Sequence, residues 1–335
     1  MDNTADLQMV QNSHRIIHEL SSESDNQNMS TEKAFIMANT IGCTMEEIKS
    51  NHLIPVYAKD NERLISSAEF IEATSEVMAD IFFGETILNP SIRVSHPIKG
   101  RIPEAKDKLA NQLFEWEKTV FYERMAFIIE VPSISDMIDG NRVNLTVGGI
   151  KAYNLDNLYH KKGSDEHFKI FIGFQNKVCL NICVWSDGAM LDLKVRSIGQ
   201  LMGCIRTMIQ NYNQQHHLFN LQQLCNYSLT EHQFAQLIGR TRMYQFLPYN
   251  VKKEIPQLLF GDNQIGSVVR DYYKVGSFCK MDDGTLNLWR LYNLLTSANK
   301  TTYIDQFAER SVNAFEFAYN IKSALQNQTF NWYLE

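Results

Sequence analysis

The sequence predicts an α+β fold in which a central antiparallel sheet of four to six strands is followed by a helical region. Apolar and polar residues alternate between residues 91 and 197, as in half-buried strands, and from residue 198 apolar residues recur at helical spacing. The chain has 335 residues, of which 44% are hydrophobic, enough for a core that needs no disulfide or metal. Disordered, collagen-like and mini-protein scaffolds are therefore excluded.

The first 90 residues are predicted to precede the sheet as two segments. Residues 1–30 are polar, and we expect them to be a mobile N-terminus. Residues 31–90 read as an acidic helical lead segment, with helical spacing from Ser30 onward and most clearly from Ile65 to about Phe83.

Charge divides unevenly along this chain of net charge −6. Residues 1–90 hold 15 acidic and five basic side chains, which leaves 23 acidic and 27 basic side chains in the remainder. A uniformly basic protein is thus excluded, whereas a local basic groove is compatible with the composition.

The β-rich core, residues 91–197, contains five strand-like segments. They are residues 92–95, 125–131, 143–147, 168–174 and 178–184. Asp139-Gly140 predicts a tight turn between the second and third of them, because both residues tolerate a positive φ. Residues 105–122 have helical spacing, so we predict that a helix crosses one face of the sheet.

The last part of the chain, residues 198–335, is predicted to be helical and packed on the sheet. Thr230-Glu-His-Gln233 has the pattern of a capping box and predicts a helix that ends near Pro248. Further helices are predicted over residues 251–260, 263–274, 285–298 and 302–326.

Motifs of catalysis and cofactor binding are missing from the sequence. It contains no phosphate-binding loop, dinucleotide-binding glycine pattern or nucleophile elbow, and its six cysteines are scattered without zinc-ligand spacing. His14 and His18 are four residues apart but lack the general base of a zinc protease. We therefore predict no cofactor, no metal and no catalytic residue, and we favour a binding protein over an enzyme.

One candidate binding segment is basic and runs from Ile92 to Pro103. Alternation places Arg93 outward on a strand, and Pro97 and Gly100 shape a loop that carries His96, Lys99 and Arg101. Such a loop can bind phosphates through cationic side chains and backbone N–H groups. The alternative is a solvated connection whose charge is balanced by Glu104 and Asp107.

Two other segments mix polar and aromatic residues. In the first, Arg240 and Arg242 could neutralise phosphates while Tyr244 stacks on a base. In the second, Trp289 and Asn293 lie on one edge of an apolar helix. For both segments the alternative is ordinary core packing, with the arginines outside and the asparagine hydrogen-bonded.

Several long blocks resemble a family of uncharacterised proteins carried on conjugative transposons and plasmids of gut-type anaerobic bacteria. The resemblance spans roughly residues 50 to 334 and is carried by residues 92–105, 122–127, 144–149, 171–174, 229–234 and 292–300. More distantly, Trp289, Tyr292, Asn293 and Thr296 are similar to a pattern in phage- or plasmid-like proteins. The resemblance implies a mobile-DNA habitat and no mechanism.

These observations lead to two hypotheses of function. The first is a non-catalytic accessory that binds or anneals single-stranded DNA in a groove between the sheet and the helical region; its likeness to annealing proteins rests on fold analogy alone. The alternative is a factor that contacts a host or element protein, or counters host defence, through the acidic lead segment. No signal peptide or membrane span is recognisable, so we expect a cytoplasmic protein. The sequence does not indicate its oligomeric state.

Overall fold

The computed structural model describes residues 34–51, 64–158, 165–279, 281 and 283–335. In chain order its strands and helices are β1 (Thr40–Cys43), α1 (Met45–Asn51), α2 (Ser67–Ile81), β2 (Ser91–Ser95), β3 (Ile98–Arg101), β4 (Lys118–Phe121), β5 (Arg124–Ile138), β6 (Asn141–Ala152), α3 (Tyr153–Leu158), β7 (Glu166–Asn176), β8 (Ile182–Val195), α4 (Ile198–Asn211), α5 (Gln214–Leu224), β9 (Ser228–Leu229), α6 (Glu231–Tyr244), α7 (Tyr249–Lys252), α8 (Asp262–Tyr272), β10 (Leu286–Asn287), α9 (Leu288–Asn299) and α10 (Ile304–Asn327).

The central sheet has six strands in the order β1-β2-β5-β6-β7-β8, and all neighbours are antiparallel. The predicted α+β class and the predicted strand number are therefore confirmed. Strands β3 and β4 form a separate hairpin, and β9 pairs with β10 in a short two-stranded ribbon.

The longest hairpin of the sheet joins β5 to β6 through the turn that the sequence predicts. Asp139 and Gly140 have φ values of 47° and 74°, both in the left-handed region that Asp-Gly tolerates. The pairing of β5 shifts between Val131 and Ser135, where Pro132 has no N–H to donate to a neighbouring strand. The bulge accommodates that proline within a strand of 15 residues.

Helices cover both faces of the sheet. On one face, Phe70 of α2 packs edge-on against Phe127 and Phe168, with ring centroids 5.0 and 4.9 Å apart. A Cβ at Gly149 would lie 2.4 Å from the Phe70 ring, so a glycine lets α2 approach the strand this closely. On the other face, Phe307 of α10 lies 6.4 Å from Phe171. The apolar cores on both sides explain why β6 and β7 are buried along almost their whole length.

Helices α1 and α2 confirm the helical character predicted for the lead segment, whereas its first described residues depart from the prediction. Helix α2 is confirmed and begins with a capping box at Ser66 and Glu69. By contrast, residues 40–43 form an edge strand of the sheet, and Met37 and Ala38 donate backbone hydrogen bonds to the carbonyl of Lys300. Pairing with β2 and with the α9–α10 connection therefore overrides the local helical spacing. Residues 1–33 and 52–63 lie outside the described residues, and with them the predicted mobile N-terminus and His14 and His18.

Two further helix predictions are wrong. Over residues 251–260 the helix stops at Lys252, because Pro256 disfavours helical backbone at the preceding residue. Residues 105–122 form single 3₁₀ turns followed by β4, and no helix from this stretch crosses the sheet. The β-branched and aromatic run from Thr119 to Tyr122 favours a strand, and that preference prevails. The remaining helical predictions, including α6 with its Thr230 capping box, are confirmed.

Candidate nucleic-acid interface

Between β2 and β5 the chain leaves the sheet and returns; we call residues 96–121 the excursion. Its neck is closed where Arg124 donates its backbone N–H to the Ser95 hydroxyl at 3.2 Å. Its stem is the β3–β4 hairpin, in which Lys99 faces Val120 and Arg101 faces Lys118. Since residues opposite each other and residues two apart share a face of a hairpin, Lys99, Arg101 and Lys118 lie on one face.

The three cations of this face are exposed, and their arrangement favours an anion. Arg101 and Lys118 are direct cross-strand partners, which is destabilising for like charges without a counter-ion. Arg101 donates to the carbonyl of Lys108, and Lys118 pairs with Glu115, whose side chain is 89% exposed. Lys99 makes no hydrogen bond or ion pair with the described residues. The face therefore keeps positive charge available to a phosphate.

The tip of the excursion is held in shape by one buried carboxylate. Three 3₁₀ turns make up most of it, at Pro103–Ala105, Ala110–Gln112 and Glu115–Glu117. Glu117 is 3% exposed; its carboxylate accepts the backbone N–H of Phe114 at 2.9 Å and pairs with Lys108. The hydrogen bond from Lys108 is the main reason why the pKa of Glu117 lies below its ordinary range.

Two aromatic rings project from this tip into solvent. Phe114 and Trp116 are 60% and 69% exposed, and their rings stack with centroids 6.1 Å apart and planes 7° from parallel. The Lys108 ammonium lies 4.9 Å from the Phe114 centroid. Ile98 and Leu109 of the excursion are also more than half exposed. Exposed apolar groups clustered in one segment are typical of a binding site.

Stacked rings beside a cationic face can bind single-stranded nucleic acid. A base can extend the stack on the outer face of an exposed ring, while the cations neutralise the neighbouring phosphates. The sequence analysis identified Lys99 and Arg101 but missed Phe114, Trp116 and Lys118. Helical spacing over residues 105–122 predicted a crossing helix there, and the sequence signal against a helix was the run Thr119–Tyr122.

The other two predicted residues of the first segment flank the excursion. His96 is exposed in the connection from β2 to β3. Arg93 lies within the sheet on β2, where its guanidinium donates to the Thr40 hydroxyl and carbonyl at 2.8–3.1 Å. Burial lowers the pKa of Arg93, and its hydrogen bonds join the edge strand β1 to β2. Arg93 is thus engaged in holding the sheet together.

The predicted residues of α6 are engaged with other parts of the helical region. Arg242 makes two hydrogen bonds to Asp262, at 2.6 and 2.8 Å, and this pairing raises the pKa of Arg242. Arg240 donates to the carbonyl of Glu335 at 2.6 Å. Tyr244 is only 7% exposed and packs against Tyr333, so its ring is not presented to a base.

Trp289 and Asn293 are inside the core, which corrects their place in the predicted interface. They are 0% and 1% exposed. The Asn293 amide donates to the carbonyl of Trp289 at 2.8 Å and accepts from Asn176 at 2.9 Å. Asn181 donates to the Asn293 carbonyl at 2.8 Å, so this asparagine ties α9 to the β7–β8 connection. Core packing with a hydrogen-bonded asparagine, the alternative considered above, describes this helix.

The two basic segments lie at opposite ends of α10. At the neck of the excursion, Arg124 is 3.8 Å from Asp305 in the first turn of α10. Arg240 contacts Glu335 and Trp332, which follow the other end of that helix. With 24 residues, α10 is about 36 Å long. One groove holding both segments, as predicted, is not formed.

A second polar cluster, around Lys151, is largely buried in the interior. Lys151 is fully buried and pairs with Asp156 at 2.7 Å and Glu166 at 2.9 Å. It also lies 4.0 Å from the centroid of the Phe168 ring. Because each carboxylate also accepts a backbone N–H, of His167 and of Ile65, the cluster joins α2, α3, β6 and β7. The ion pairs and hydrogen bonds of this cluster hold these elements together.

The described part of the chain offers no side-chain cluster for a metal ion and no helix for a membrane. No group of three or more His, Cys, Asp and Glu side chains there could hold a metal ion. None of the helices formed by these residues has both the length and the apolar character required to cross a bilayer.

Residues 15–334 match the family described as "Domain of unknown function, B. Theta Gene description (DUF3871)". The chain belongs to this family. No curated protein and no solved structure matches it. The excursion and the helical region both fall within the matched residues, so they are parts of the family's domain.

Proposed function

We propose that this DUF3871 protein is a non-catalytic accessory that binds single-stranded DNA through the excursion. The observation that carries the proposal is the exposed Phe114–Trp116 stack beside the cationic face of Lys99, Arg101 and Lys118. The resemblance to proteins of conjugative transposons and plasmids supports a role in the cytoplasm, in the DNA transactions of a mobile element.

The composition of the excursion favours single strands over duplex. Unpaired bases expose π-faces that stack on aromatic rings at about 1–3 kcal/mol per base, whereas duplex bases are already stacked. The excursion holds five Lys and Arg side chains against four Asp and Glu, so its attraction for phosphates is local and modest. Binding should therefore depend on stacking as much as on charge.

A fluorescent oligonucleotide of about 30 nucleotides, titrated at two salt concentrations, tests the proposal. With three phosphates neutralised, the logarithm of the binding constant should fall by about 2 per tenfold rise in salt. A duplex of the same sequence serves as the control and should bind more weakly. Absence of binding at low salt, or equal binding of duplex and single strand, contradicts the proposal.

A further inference from the structure

A groove lies at the far end of α10 from the excursion. Helix α10 ends at Asn327, and the next residue, Gln328, has a φ of 53° that turns the chain back along the last helical turns. The groove has three walls. They are the last turns of α10, the returning residues 329–332, and α7 with residues 254–256. The groove has a volume of about 340 Å³, at the lower end of the range for small-ligand pockets.

Amide and hydroxyl side chains dominate the polar lining of this groove. They are Asn320, Ser323, Asn327, Thr329 and Asn331. Asn320 and Asn327 are exposed, and their carboxamides make no hydrogen bond with another described residue. A carboxamide offers one acceptor and two donors side by side, the complement of the hydrogen-bonding edge of a nucleobase.

Aromatic rings stand at the edge of the groove. Phe330, which is 71% exposed, and Trp332 belong to its lining. The Arg240 guanidinium lies 5.0 Å from the centroid of the Trp332 ring. Arg240 covers one face of Trp332, so the exposed ring of Phe330 is the aromatic face that a base entering the groove can meet.

Glu254 supplies the one ionised group among the described residues that line the groove. A carboxylate is negatively charged and therefore repels a phosphate. Because it only accepts hydrogen bonds, it can pair with the amino group of a base. Cytosine, adenine and guanine carry exocyclic amino groups, and thymine does not.

We propose that this groove binds one unstacked, amino-bearing nucleobase of a DNA single strand, with Glu254 as the acceptor for its amino group. The inference rests on the proposed function, and it adds a preference among bases that the excursion does not provide. Stacking on Phe114 and Trp116 is tolerant of base identity, because every base has a π-face.

Oligo-dC and oligo-dT of equal length, titrated against the full chain and against Glu254→Ala, test this site. The wild-type chain should bind oligo-dC about tenfold more tightly, and Glu254→Ala should bring the ratio close to one. Removing a negative charge alone would strengthen both complexes equally, so the ratio separates base recognition from charge. Glu85→Ala, which removes an exposed carboxylate outside the groove, is the matched control and should keep the ratio.

The outcomes separate this inference from the proposed function. If both oligonucleotides bind and Glu254→Ala leaves their ratio unchanged, the groove does not recognise the base, while the proposed function stands. If neither oligonucleotide binds the wild-type chain, the proposed function fails, and the inference fails with it.

Discussion

Two aromatic pairs that each contain a tryptophan have nearly the same separation between ring centroids, but one pair is exposed and the other is buried. In the excursion, the rings of Phe114 and Trp116 lie 6.1 Å apart in solvent; in α9, those of Trp289 and Tyr292 lie 6.0 Å apart with no exposed surface. The first pair leaves its outer faces open to a partner, whereas the second is enclosed by the protein. Aromatic content alone therefore does not identify a binding surface, and exposure does.

The largest expected effect is a loss of stability on removing the buried ring of Trp289. Trp289→Ala removes a fully buried ring, so the free energy of unfolding should fall by about 3–5 kcal/mol. Trp116→Ala removes a ring that is 69% exposed and should change it by no more than about 0.5 kcal/mol. Urea denaturation of both variants measures the difference. Equal losses for the two would contradict the assignment of one ring to the core and the other to the surface.

The two variants should rank in the opposite order when their affinity for single-stranded DNA is compared, with Trp116→Ala the more affected. Trp116→Ala should weaken single-stranded DNA binding by about 1–3 kcal/mol, or roughly 5- to 150-fold, because one stacking surface is lost. Fluorescence anisotropy with a labelled oligonucleotide measures the loss. Phe219→Ala, at a ring on α5 that is 55% exposed, is the matched control and should bind like the wild type. An unchanged affinity for Trp116→Ala would remove the excursion from the interface.

Acid should destabilise the enclosed region through His217. This fully buried ring packs against Phe315, which in turn contacts Tyr292. Burial, with a smaller effect of His216, lowers the pKa of His217 from 6.5 to about 3. Between these values the unfolded chain binds a proton that the folded chain does not. The free energy of unfolding should therefore fall by about 1 kcal/mol for each unit of pH below 6.5.

A variant that cannot titrate isolates this effect. His217→Gln should lose the pH-dependent part contributed by the histidine, whatever its stability at neutral pH. Urea denaturation of both chains at several values of pH between 4 and 8 gives the comparison. Parallel curves for the two chains would show that His217 is not held neutral by burial.

The smallest effect separates charge from stacking within the excursion. Lys99→Ala should reduce the salt dependence of binding by about 0.7 in the slope of the logarithmic plot, since one phosphate contact is lost. Lys194→Ala, on the exposed part of β8, is the control and should leave the slope unchanged. If Lys99→Ala leaves the slope unchanged, the phosphates contact other cations and not Lys99.

The contrast between the two aromatic pairs also shows what the sequence could predict. Strict alternation and Asp-Gly chemistry identified the sheet and the turn at Asp139, because both are local rules. Exposure of Phe114 and Trp116 was not predictable from spacing, since Leu109, Leu113 and Trp116 recur at helical intervals without forming a helix. The buried bonds of Asn293 depend on Asn176 and Asn181, more than 100 residues away in the chain. Such long-range partners leave no local signal.

The central claim is that the exposed pair, and not the enclosed pair, meets the DNA. Hydrogen exchange of the backbone amides, followed by mass spectrometry with and without a single-stranded oligonucleotide, tests it most directly. Slower exchange over residues 102–117 when DNA is bound, with α9 unchanged, is the result we predict. Bound DNA that leaves exchange in residues 102–117 unaltered would contradict it.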